Sequence, residues 1–153
     1  MKKTRKIVTA TVLALYIFLL IHVLFFRYGR SAAAGIDGLS YRLKYAANFV
    51  PFKTIRSYAA AMHRIPRVAV LNVIGNLALF APMGILLPAA VPAMRRPMRT
   101  LLFIFVLIVA VECVQLLLGL GSFDVDDIIL NFTGCAVCCA IYFSVTSRKN
   151  DKA

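Results

Sequence analysis

The chain has 153 residues, 61% of them hydrophobic and 16% charged, and its mean hydropathy is +0.84. A soluble domain of this length buries only about 70% of its unfolded surface, so this composition excludes an ordinary water-soluble fold and calls for lipid as the solvent of the apolar faces. Lys and Arg number 18 against 6 Asp and Glu, a formal net charge of +12, but the basic residues flank apolar runs as topology signals do and no nucleic-acid-binding motif accompanies them, which excludes nucleic acid as the expected partner.

A basic tail, residues 1–6 with Lys2, Lys3, Arg5 and Lys6, precedes the first apolar run, residues 7–26. That run reaches about 30 Å as a helix, the thickness of a bilayer's hydrocarbon core. Ala32, Ala33 and Ala34 offer small residues for signal cleavage. The run is nevertheless longer than the apolar region of a signal peptide, and Arg27 and Arg30 intervene, so an uncleaved helix is favoured. The connection 27–67 interleaves basic and aromatic residues, among them Tyr41, Arg42, Lys44, Tyr45 and Phe49. Part of it is expected to form an amphipathic helix lying in the membrane interface. Pro51 interrupts any helix within Asn48-Phe49-Val50-Pro51-Phe52, because it lacks an N–H and restricts the residue before it.

The second run, 68–91, is uncharged and contains Asn72, Gly75, Asn76, Pro82 and Gly84. Pro82 removes the hydrogen bond to the Ala78 carbonyl and predicts a kink. Arg95, Arg96 and Arg99 separate it from the third run, 100–119, which carries the carboxylate Glu112. An acidic turn, 121–127, leads to the fourth run, 128–146, and to a basic tail, 147–153, with Arg148, Lys149 and Lys152. The expectation is an all-α integral membrane bundle of four transmembrane helices, with a long extracytoplasmic loop after the first. Four spans place the N-terminal tail, the 92–99 connection and the C-terminal tail on one side with ten Lys and Arg, against eight in the long connection. Long loops weigh less in the positive-inside rule, so both termini are expected in the cytoplasm.

Polar groups inside a span are costly and usually face the bundle interior or a cavity. Asn72 and Asn76 share one helix face, Glu112 and Gln115 another, and Asp124, Asp127 and Asn131 follow i, i+3, i+7 spacing. With the termini inside, all seven fall in the outer half of the membrane. They are expected to line one polar cavity that opens to the extracytoplasmic face. The bland readings are interhelical hydrogen bonds for the amides and helix capping for Asp124. Glu112 needs a partner if it is ionised, and His22 is a candidate. Lys53 and Arg56 are placed to attract anionic head groups.

Cys113, Cys135, Cys138 and Cys139 all sit in apolar runs. Cys135 and Cys138 read formally as C-x-x-C, but a metal or redox site needs polar surroundings and usually further ligands. Small packing residues are the better reading, and no metal or cofactor is expected. Gly134 with Cys138 forms a small-x-x-x-small face suited to close helix packing, including between copies in a homo-oligomer.

The motif Asn48-Phe49-Val50-Pro51-Phe52, then Asn72-Val73-Ile74-Gly75-Asn76 running into Leu79-Phe80-Ala81-Pro82-Met83-Gly84, resembles the VanZ-like membrane proteins. Glu112 with Gln115 does so too, as does the stretch Phe123-Asp124-Val125-Asp126-Asp127-Ile128-Ile129-Leu130-Asn131-Phe132-Thr133-Gly134. The resemblance covers about residues 45–145 and assigns Pro51, Gly75, Pro82, Gly84 and Gly134 structural roles. Many members carry an Arg shortly before the first Asp, where this chain has Gly121 and Ser122. The founding member is associated with low-level teicoplanin resistance, so the resemblance implies a bacterial cytoplasmic-membrane protein touching envelope chemistry. It implies as partners membrane lipids and a lipid-linked cell-wall precursor or a glycopeptide. The leading expectation is a non-enzymatic binder. Its alternatives are an intramembrane enzyme using Glu112, Asp124 and Asp127 as acid, base or hard oxygen ligands, and a transporter or channel, for which four short spans without a repeat are a poor monomer.

Overall fold

The computed structural model describes residues 2–27 and 39–150. It is about 82% helical. Helix α1 (Lys2–His22) runs on into a π-helical turn (Val23–Arg27), and two short helices follow, α2 (Leu39–Tyr45) and α3 (Lys53–Ala61). Helix α4 (Pro66–Leu79) and α5 (Met83–Ala90) precede α6 (Pro97–Leu118) and α7 (Val125–Asn150). Arg30, the Ala32–Ala34 cleavage candidate and Lys152 lie outside the described residues.

Four stretches are long and apolar enough to cross a membrane: Lys6–Phe25, Pro66–Ala90, Pro97–Leu118 and Val125–Arg148. Only 17–28% of their most apolar windows is buried inside the protein, so most of each span presents bare apolar side chains. Leu15, Phe18, Leu102, Leu117 and Ile141 are all more than half exposed. Water does not tolerate so much contiguous apolar surface, whereas lipid requires it, because a helix satisfies its own backbone there. The chain is therefore built as a multi-pass membrane protein.

The proline expectation is exceeded. The second span does not bend at Pro82 but breaks, with Phe80, Ala81 and Pro82 outside either helix and Pro82 capping α5. The break leaves the last carbonyls of α4 without helical partners, and the Tyr16 hydroxyl of α1 donates to one of them, at Leu79. Phe80, 1% exposed, fills the bend and joins Ile104, Ile108, Met83 and Cys135 in the core.

Helix α7 is the hub, packed on α4, α5 and α6, while α1 packs on α5. Two glycines set its distances. A Cβ at Gly134 would run into the Leu77 carbonyl of α4, and one at Gly84 would strike the α7 backbone at Cys135 and Cys139. The Gly134–Cys138 face is thus used inside the chain, where it brings α7 against α4 and α5, rather than left free for a second copy. Gly75 corrects its structural assignment: a Cβ there would meet nothing within 4 Å, because it borders open space.

The long connection does not lie apart from the bundle. Strand β1 (Ala47–Asn48) pairs in parallel with β2 (Phe123–Asp124), matching Ala47 to Phe123 and Asn48 to Asp124. Arg42 of α2 donates to the Leu116 and Leu117 carbonyls at 3.0 and 2.8 Å, placing a cation at the negative end of the α6 dipole. Gly119, left-handed at φ 68, ends α6, with Leu120 N–H reaching back to the Gln115 carbonyl at 2.9 Å. This closing geometry is one that glycine adopts without a Cβ penalty.

Candidate functional site: a polar cavity beside a carboxylate latch

Two clusters form at the end of the bundle where α1 and α6 finish and α4 and α7 begin. The first is a latch. Helix α3 starts with free backbone N–H groups, as every helix does, and has no capping side chain of its own. Asp126, fully buried, supplies the cap from across the fold. Its Oδ1 accepts the Phe52 N–H at 2.5 Å, and its Oδ2 accepts those of Thr54 and Ile55 at 2.7 and 3.1 Å. Phe52 is held at φ 64, a left-handed conformation uncommon for a bulky residue and sustained only where the surroundings over-determine it.

Asp124 completes the latch. Its Oδ1 accepts the Asn48 amide and the Asp126 N–H, both at 2.9 Å, and its Oδ2 accepts the Thr54 hydroxyl at 2.6 Å. Asn48 in turn holds the Val50 N–H at 3.2 Å. Asp124 thus caps the first turn of α7 and ties it to the Pro51 loop. It does not line the cavity, which corrects its placement among the cavity residues: with both oxygens engaged in the latch it faces the connection.

The second cluster is a cavity of about 360 Å³, within the range of small-molecule sites. Asn72, Gly75 and Asn76 line it from α4, Glu112 and Gln115 from α6, and Asp127 and Asn131 from α7. Thr54 and Tyr58 of α3 roof it, Val23 and Leu24 close the α1 side, and Leu120, Gly121 and Ser122 border it from the turn. Six of the seven predicted polar residues are brought together, all but Asp124.

Most of the six are held by partners in the chain. The Asn76 amide donates to Asp127 Oδ1. Gln115 donates to the Leu24 carbonyl at 3.0 Å, and Asn72 back-bonds to the Val68 carbonyl of its own helix at 2.8 Å. Glu112, 5% exposed, accepts the Asp124 N–H at 3.2 Å and so touches both clusters. Its expected partner His22 is exposed on α1, while Glu112 points into the bundle. Asn131 is 2% exposed, and its Oδ1 has no hydrogen-bond partner among the described residues. The Tyr58 phenol lies above its ordinary pKa, first through burial and then through the charges of Asp127 and Asp124.

The enzymatic alternative loses Asp124, whose two oxygens are engaged, and rests on Glu112 and Asp127. Among the described residues no three His, Cys, Asp or Glu are grouped to hold a metal. Cys135 and Cys139 are buried in the apolar core, Cys138 is half-buried and Cys113 is exposed.

Sequence reasoning missed Asp126, Thr54 and Tyr58, and read Asn48 only as part of a helix break. Asp126 falls off the face shared by Asp124, Asp127 and Asn131, which hid it. The missing cap at the start of α3 was the available signal, since an uncapped helix start after Pro51 requires an acceptor from elsewhere.

Neither a curated protein nor a solved structure matches the chain. The sequence pattern of the VanZ/LLP1 family matches residues 13–146, which include every latch and cavity residue named above. A match over that share of the chain settles its kinship: the protein belongs to the VanZ/LLP1 family.

Proposed function

We propose that this protein resides in a bacterial cytoplasmic membrane with both termini in the cytoplasm. In this reading the cavity opens toward the outer leaflet and binds a polar or lipid-linked envelope molecule without transforming it. Binding serves envelope homeostasis or tolerance of a glycopeptide such as teicoplanin. The observation that carries the reading is the gathering of six polar side chains from three apolar helices around one cavity, since such groups are retained in a membrane for function far more readily than for stability. Lys53 and Arg56, exposed on the roof helix α3, suit a mouth that meets anionic head groups.

The test pairs genetics with chemistry. Deleting the gene is expected to raise teicoplanin sensitivity, and a Glu112→Gln/Asp127→Asn copy is expected not to restore tolerance. A lipid that co-purifies with the wild type, identified by mass spectrometry, should be depleted in the same variant. Unchanged sensitivity together with an unchanged lipid complement would refute the reading. Recovery of a chemically altered lipid after incubation with the purified protein would favour the enzyme built on Glu112 and Asp127.

A further inference from the structure

We propose that the cavity selects a ligand carrying a protonated primary amine, a choice that rests on the binding role proposed above and narrows it to one head-group class. Two features of the cavity lead there independently. The first is charge. The described lining contains two carboxylates, Glu112 and Asp127, and no Lys, Arg or His. A phosphate or carboxylate entering it would find no positive side chain, and would meet like charge wherever either carboxylate is ionised.

The second is the donor and acceptor inventory. Four of the lining side-chain donors are already engaged within the chain: Asn76 to Asp127, Gln115 to the Leu24 carbonyl, Thr54 to Asp124, Asn72 to the Val68 carbonyl; the Tyr58 and Ser122 hydroxyls and the Asn131 amide border the cavity beside them. The strongest acceptors keep unused capacity. A carboxylate offers about four lone-pair sites, and Glu112 receives the Asp124 N–H on one oxygen only. Asn131 Oδ1 has no partner among the described residues although its residue is 2% exposed, and a buried acceptor left unpaired is unfavourable. The cavity therefore calls for donors. An ammonium supplies three with no acceptor of its own, together with the missing positive charge.

The rim extends the assignment. Lys53 and Arg56 are exposed on the helix that contributes Thr54 and Tyr58 to the roof. A phosphate ester joined to the amine would meet these cations while the ammonium occupies the interior. The ligand class is thus an aminoalkyl phosphate, as in an ethanolamine head group.

The full-length protein in detergent, titrated with phosphatidylethanolamine or phosphatidylglycerol of matched acyl chains and read by native mass spectrometry, tests this. The wild type is expected to retain at least tenfold more phosphatidylethanolamine. Glu112→Gln/Asp127→Asn is expected to lower that retention about tenfold without lowering that of phosphatidylglycerol; both changes keep an oxygen for the Asp124 N–H and the Asn76 amide, and unchanged thermal melting confirms folding. Gly75→Val, which fills the cavity, should reduce retention of both lipids. Soluble ethanolamine distinguishes the sources: displacement of the lipid places recognition on the amine alone, and its failure places recognition on the whole head group, either result supporting the assignment. Equal or greater retention of phosphatidylglycerol by the wild type would overturn the amine while leaving the cavity a lipid site. Displacement by magnesium would overturn it in favour of a divalent cation. Retention of no lipid that responds to any of these substitutions would overturn both this inference and the binding role it rests on.

Discussion

Asp126 and Asp127 are neighbours in sequence and opposites in use. Asp126, fully buried, spends its carboxylate on three backbone N–H groups of the α3 start. Asp127, one position on and turned to the other side of α7, borders an open cavity with Asn76 and Glu112. The latch is a region where polar groups satisfy one another; the cavity is a region where acceptors, Asn131 Oδ1 and a Glu112 oxygen, keep unused capacity. The difference teaches that an acidic run at a helix start can carry two jobs. Backbone partners mark the structural one and spare lone pairs mark the proposed binding one.

Breaking the latch is expected to have the largest effect. Asp126→Ala removes a buried, charge-assisted acceptor shared by three backbone donors and should destabilise the fold by about 3–5 kcal/mol, read as a lowered unfolding midpoint in detergent. Proteolysis near Pro51 should rise in parallel, because the strained Phe52 loses its tether. The two glycines on either side of the boundary give a smaller contrast. Gly134→Ala drives a Cβ into the Leu77 carbonyl and should cost about 1–3 kcal/mol. Gly75→Ala meets open space and should leave stability unchanged or raise it by up to about 1 kcal/mol through helix propensity. A ligand-binding assay would separate them further, since only the Gly75 change narrows the cavity.

Glu112→Gln should alter stability by less than about 1 kcal/mol, because the amide oxygen still accepts the Asp124 N–H, yet weaken binding. Loss of stability as large as that of Asp126→Ala would erase the distinction between the two regions. The smallest effect is spectroscopic. In a phenolate absorbance titration, the component lost in Tyr58→Phe should have its midpoint above the ordinary phenol value of about 10, given the burial and the neighbouring Asp127 and Asp124. The unfolded chain would release that proton first, so this residue's contribution to stability is present below about pH 10 and fades as pH rises through the folded value.

The four spans were legible because an uncharged apolar run of bilayer length suits little besides a membrane crossing. Asn72, Asn76, Glu112, Gln115 and Asn131 were legible as a set because each is anomalous where it stands, in an apolar run, and Asp127 joined them through its spacing to Asn131. The latch was not. Asn48, Thr54 and Asp126 are ordinary in a polar connection or an acidic turn, and their meaning arises from contacts across 70 or more residues of chain, which no local pattern reports. Pro82 announced a distortion, but only the packing of Phe80 and the Tyr16 hydroxyl, both tertiary, turn a bend into a break.

The cavity itself is most directly tested by Gly75→Cys in a chain whose native cysteines are replaced, because a thiol there projects into open space and removes none of the polar groups. A membrane-impermeant maleimide added to the extracytoplasmic side of intact cells should label it, and added phosphatidylethanolamine should protect it. A thiol that reacts only from the cytoplasmic side, or reacts equally with and without lipid, would contradict an outward-opening binding cavity.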